Sequence, residues 1–198
     1  MINEKETKDE VREALIEIAR TVFGKYGFKK TTVDDIAEAA GKGKSSLYYY
    51  FKSKDEIFLA VIKREIELVK EKIKERIEGI EDPIDKIKTY IKSRMHDLKE
   101  LVNIYSVVGS DFKANFQYLE QIRNEIDKEE NELIKGFLKE GISKGIFREI
   151  DNNIDLSAKI CVAALKGLEI FVVDNQEEIS EEQYDTIMDI VFFGLIKR

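Results

Sequence analysis

The chain has 198 residues, 43% of them hydrophobic and 37% charged, with one proline and no tryptophan, which suits a soluble, helix-rich protein of one or two domains. No apolar run nears the ~18 residues of a membrane span, and the opening "MINEKETKDE" lacks the apolar stretch of a secretory signal. A single cysteine, Cys161, forbids an internal disulfide and makes a reducing cytoplasm the expected location; with a single histidine, His96, it also argues against a zinc site or a Cys–His catalytic pair.

The net charge of −7 is unevenly spread. Residues 1–54 hold 11 Lys and Arg against 9 Asp and Glu, whereas the remaining 144 hold 22 against 31. Within residues 25–54 the count is 7 against 3. A basic block on an acidic body suits a local anionic partner. A solvated helix face is the plainer alternative, and spacing must decide.

From Lys8 to Tyr26, the positions Val11, Leu15, Ile18, Ala19, Val22 and Phe23 recur at helical spacing, and Gly27 ends the run. Thr32 with Asp35 has the form of a capping box, so a short helix opens at Val33, buries Ile36, Ala37 and Ala40, and stops at Gly41. A second short helix runs from Lys44 to Phe51. Two short helices across a glycine turn make a helix-turn-helix candidate. Another box, Ser53 with Glu56, opens a long helix reaching about residue 80, roughly 40 Å long at 1.5 Å per residue. In "EDPID", Asp82 caps, Pro83 takes the first helical position and Asp85 completes the box. Helices over 83–108, 115–144, 154–173 and 181–197 follow, the last opened by Ser180 and Gln183. No stretch alternates with strand period. The predicted class is all-α with about nine helices, split into residues 1–53 and 54–198.

The chemistry concentrates in "KGKSSLYYYFKSK", residues 42–54. On a helical wheel Leu47 and Phe51 share the inward face. Ser45, Ser46 and Tyr49 point roughly the other way, with Tyr48 and Tyr50 on the flanks. Three consecutive tyrosines cannot all be core. Small serines permit close approach, while tyrosine hydroxyls and lysines bond phosphate oxygens, the mix expected of a helix in a DNA major groove. Lys54, in the first turn of the next helix, is placed to reach the phosphate backbone. "GKS" at 43–45 imitates the end of a nucleotide-binding loop, but that motif needs glycine where Glu38 stands and a strand before it.

"TTVDDIAEAAGKGKSSLYYYFKSKDEIF", with "ALIEIARTVFGKYGF" ahead of it, resembles the DNA-binding domain of the TetR family of transcriptional repressors over about residues 8–60. The resemblance implies DNA contacts at Thr32, Lys44, Ser45, Ser46, Tyr48, Tyr49, Tyr50 and Lys54, to which Lys42 of the same basic stretch is added. Many members have Ser or Thr where this chain has Gly43, so its recognition helix is expected to start from a weaker cap. Tyr50 stands where some members carry histidine.

The remainder resembles the family only in helix number and length. The last two helices each carry a broad apolar face with one glycine. The resemblance implies that they form a four-helix dimer interface, for which Ala163, Gly167, Ile170, Ile190, Phe193 and Gly194 are the candidates. A two-fold dimer reads a palindromic double-stranded operator. The middle helices are expected to surround an unidentified small effector, apolar or aromatic. Its candidate lining is Met95, His96, Tyr105, Phe112, Phe116, Tyr118, Cys161 and Phe171, each equally suited to plain core. The expectation is therefore a ligand-released repressor with no catalytic residues, cofactor, metal or membrane partner. An all-α binding protein that leaves DNA alone, and an enzyme, stay open as alternatives.

Overall fold

In a computed structural model, residues 7–105, 116–149, 153–174 and 180–193 are described. Among them stand eight helices and no strand: α1 Lys8–Tyr26, α2 Val33–Ala39, α3 Lys44–Tyr50, α4 Lys54–Ile77, α5 Pro83–Tyr105, α6 Phe116–Ser143, α7 Ile154–Asp174 and α8 Glu181–Phe193. The sequence predicted about nine. The predicted end of the fifth helix and start of the sixth fall partly within 106–115, outside the described residues, as does the predicted end of the last helix beyond Phe193. The long helix stops at Ile77 rather than 80, and Gly79 follows in the left-handed region at φ 83°.

The chain divides into two compact units, residues 1–70 with 101–122 and residues 71–100 with 123–198. In the first, α1 buries Leu15, Ile16, Ala19, Val22 and Phe23 against Ile36 and Ala37 of α2, Leu47 of α3, and Ile57, Phe58 and Val61 of α4. Phe23, Phe28 and Phe58 form its aromatic centre, Phe23 meeting Phe58 edge-on at 5.3 Å and Phe28 meeting Phe58 at 4.8 Å. Truncating one such ring costs about 3–5 kcal/mol. Two ion pairs tie α1 to α4: Arg20 to Glu65 at 2.6 Å and Arg64 to Glu17 at 3.0 Å.

The second unit buries Ile87, Tyr90, Ile91 and Met95 of α5, Ile134 and Phe137 of α6, and Ala158, Val162 and Leu165 of α7. Its interior also holds charge. Arg94 and Glu130 are paired there, and Asp97 accepts two bonds from the Arg76 guanidinium at 2.7 and 3.2 Å.

Candidate nucleic-acid interface

Helix α2 starts where the sequence signals it. The Thr32 hydroxyl accepts from the Asp35 N–H at 3.2 Å, and Asp35 Oδ2 accepts from the Thr32 N–H at 2.7 Å. These bonds hold the Asp35 carboxyl below its ordinary range, the backbone N–H contributing most. The helix ends in a Schellman motif: the Lys42 N–H reaches Ala37 O and the Gly41 N–H reaches Glu38 O, with Gly41 at φ 60°. A side chain there would strain the turn that sets the angle between α2 and α3.

Helix α3 has Gly43 at its N-cap and no side-chain cap bond, the weaker start expected from its glycine. Its seven residues are held instead by their inner face, where Leu47 and the following Phe51 are 1% and 2% exposed. The outer face carries Tyr48 at 47% and Tyr49 at 66%, while Tyr50 packs in part against the core. Two of the three tyrosines therefore face outward. Ser45 is exposed and Ser46 half-buried, which leaves a narrow, polar surface between the rings.

The cations are arranged around this face in different ways. Lys42 and Lys44 are exposed. The Lys44 ammonium lies 2.6 Å from Asp34 Oδ2, a bond that raises its pKa. Lys8, the first residue of α1, places its ammonium 4.9 Å from the centre of the Tyr49 ring, and Tyr49 meets Tyr50 edge-on at 5.0 Å. Sequence reasoning did not include Lys8 in the site. The Thr7/Glu10 capping box fixes where α1 begins. Lys54 is turned inward: its ammonium donates to Phe28 O at 2.9 Å and Thr31 O at 3.0 Å and sits 4.3 Å from the Phe28 ring centre.

Exposed phenols, small hydroxyls and one lysine on a short helix with a sealed inner face, with Lys42 just ahead of it, can donate to phosphate oxygens and meet base edges. Among the described residues, no group of acidic, histidine or cysteine side chains could hold a metal ion. Among the same residues, no helix is long and apolar enough to cross a membrane.

The other predicted residues are less gathered. Met95 is buried in the second unit, Cys161 is half-buried with its thiol pKa raised by burial, and His96 is exposed. Phe112 and the side chains of Tyr105, Phe116, Tyr118 and Phe171 lie outside the described residues. On α7, Ala163 and Gly167 are exposed in line with Leu156 and Ile160, which are 55% and 59% exposed, and Ile190 of α8 is 45% exposed. Gly194 and the side chains of Ile170 and Phe193 lie outside the description.

Comparison with known proteins agrees with this geometry. Residues 15–61 match the family described as bacterial regulatory proteins, tetR family, and residues 62–181 match the C-terminal region of YsiA-like proteins. The HTH-type transcriptional repressor KstR2 of Rhodococcus jostii is 30% identical over 151 residues, 74% of this chain and 72% of that protein. A fatty acid metabolism regulator of Bacillus subtilis is 27% identical over 135 residues, 68% of this chain and 70% of its own. A solved structure from Clostridium perfringens, assigned as a fatty acid metabolism regulator, is 33% identical, covers 93% of this chain and 100% of its own, and superposes with a TM-score of 0.62.

Proposed function

The chain belongs to the tetR family of bacterial regulatory proteins, helix-turn-helix transcriptional regulators, and we propose that it is a homodimeric repressor released from a palindromic operator by a small apolar effector. The observation that carries the DNA-binding half is the two-faced α3, with Leu47 and Phe51 sealed inward and Tyr48 and Tyr49 presented outward. Thr32, Lys42, Lys44, Ser45, Ser46, Tyr50 and Lys54 complete the contact set.

The dimer is supported by the exposed stripe Leu156, Ile160, Ala163 and Gly167 on α7, four apolar residues at helical spacing with small ones at one end. A stripe of that length is costly to leave in water. Pairing it with a second copy sets two recognition helices about one DNA turn apart.

Regulators of fatty acid metabolism among the relatives support an effector with an acyl chain. The effector releases DNA only if it binds the DNA-free state more tightly than the bound one. Titration of labelled upstream DNA, followed by fluorescence anisotropy with and without long-chain acyl compounds, tests both halves. Acyl compounds that bind the protein yet leave DNA affinity unchanged contradict the release mechanism.

A further inference from the structure

We infer that Lys8, the first residue of α1, is a positioning residue for DNA recognition that acts through Tyr49, its ammonium holding that ring in the pose that meets the nucleic acid. The inference rests on the DNA-binding reading above and goes beyond it by naming what orders the most exposed ring of α3.

Helix α3 depends on outside support. It has seven residues, fewer than an isolated helix needs, and its Gly43 N-cap supplies no side-chain bond. Leu47 and Phe51 anchor its inner face. Burial of that kind does not reach Tyr49, which is 66% exposed. A ring so exposed keeps several rotamers open, and ordering it only on binding costs affinity.

Helix α1 supplies the constraint. Lys8 and Arg12 stand one turn apart, and each sets its charge over a ring at the end of α3. The Lys8 ammonium is 4.9 Å from the Tyr49 ring centre, and the Arg12 guanidinium carbon is 5.0 Å from that of Phe51. Phe51 is buried, so the Arg12 contact belongs to the core. Tyr49 is exposed, so the Lys8 contact orders a side chain that a ligand of this face would touch. Tyr50, packed in part on the core, meets the Tyr49 ring at 5.0 Å and 87°. A cation and a second ring thus both restrict Tyr49.

The place of Lys8 is itself fixed. The Thr7 N–H donates to Glu10 Oε2 at 2.6 Å and the Glu10 N–H donates to the Thr7 hydroxyl at 3.3 Å, so α1 starts at Lys8 and nowhere else nearby. The capping box of one helix therefore sets the aim of a side chain on another. Pre-ordering of this kind raises affinity without a new contact to the ligand.

The test is a double-mutant cycle on affinity for an operator selected from a random duplex library. It compares wild type, Lys8→Met, Tyr49→Leu and the double variant at a salt concentration low enough for all four to bind measurably. Both side chains are exposed, so the replacements leave the core intact. The proposal expects Lys8→Met to lose about two- to fivefold where Tyr49 is present and nothing further in Tyr49→Leu. Lys8→Arg should keep wild-type affinity, since a guanidinium also rests on a ring face. An equal loss in both backgrounds overturns the proposal. A salt slope lower by about 0.9 then marks Lys8 as a direct phosphate contact, and an unchanged slope marks a purely structural role. Unchanged affinity for Lys8→Met overturns it as well. In the free protein, the Tyr49 ring current should move the Lys8 ε-methylene proton resonances upfield, and Tyr49→Leu should abolish that shift; its absence in wild type contradicts the contact. Wild type without preference for any operator defeats the DNA-binding reading itself, an outcome distinct from any difference between variants.

Discussion

Arg94 donates its Nε–H to Glu130 Oε1 at 2.5 Å, with both side chains less than a tenth exposed. The Tyr90 hydroxyl, itself buried, donates to the same carboxylate oxygen, and desolvation raises its pKa so that it stays a neutral donor. A buried pair adds little over an apolar one of equal shape, but removing one partner leaves a charge in a poorly solvating interior. Glu130→Ala is expected to cost about 3–5 kcal/mol, read as a drop in the urea midpoint. Arg94→Met with Glu130→Leu should recover most of that loss. A double variant as unstable as Glu130→Ala contradicts this account of the cluster.

Gly141 and Gly136 lie on the same helix and should respond oppositely to alanine. Helix propensity alone favours alanine by about 0.8–1 kcal/mol at each. At Gly136 no atom lies within 4 Å of an added Cβ, so Gly136→Ala should stabilise by about that amount. At Gly141 the new carbon would fall 2.0 Å from Phe147 Cδ2, in a turn closed by Ile146 and Phe147 N–H bonds to Gly141 O. Overpacking of that kind costs about 1–3 kcal/mol and decides the sign. Thermal midpoints of the two variants check it, and a stabilised Gly141→Ala contradicts it.

Glu140 gives the fold a pH response. Lys86 donates to both its oxygens at 2.9 and 2.7 Å and Lys144 to one at 2.9 Å, holding its carboxyl below the ordinary range, Lys86 the more strongly. A depressed carboxyl contributes stability that is present above its unfolded pKa of about 4.3 and lost as pH falls through the lower folded value. Thermal midpoints measured from pH 6 to pH 3 should therefore fall less steeply at the acid end for Glu140→Gln. Identical acid slopes contradict the assignment.

Asp34 pairs with a cation of the proposed DNA-contacting set. Its carboxylate holds the Lys44 ammonium at 2.6 Å, and both side chains are at least half exposed. An exposed pair of this kind is worth about 0.2–1 kcal/mol. Asp34→Asn should release Lys44 and tighten operator binding up to about fivefold, with little change in stability. Weaker binding by the variant contradicts this expectation.

The start of α2, the turn at Gly41 and the inward placing of Leu47 and Phe51 were legible in the sequence because each depends on residues within one or two helical turns. The Ser180/Gln183 box formed in full. At Ser53 the hydroxyl caps Glu56 as expected, but the Glu56 carboxylate takes the Lys52 N–H instead. Lys54 was legible as a cation, and its two carbonyl bonds were not. Its partners Phe28 and Thr31 are more than 20 residues away, and local spacing carries no signal of such distant pairs. The approach of Lys8 to Tyr49 and the Arg94–Glu130 cluster were missed for the same reason.

The central claim is that α3 reads a specific DNA sequence, and selection from a random duplex library tests it most directly. The affinity of the enriched site is then measured against scrambled DNA across salt for wild type and Tyr49→Ala. The account predicts a palindromic site preferred by about 10³-fold or more, with a steep salt slope and a clear loss in the variant. No enriched sequence, and equal weak binding by both proteins, would contradict it.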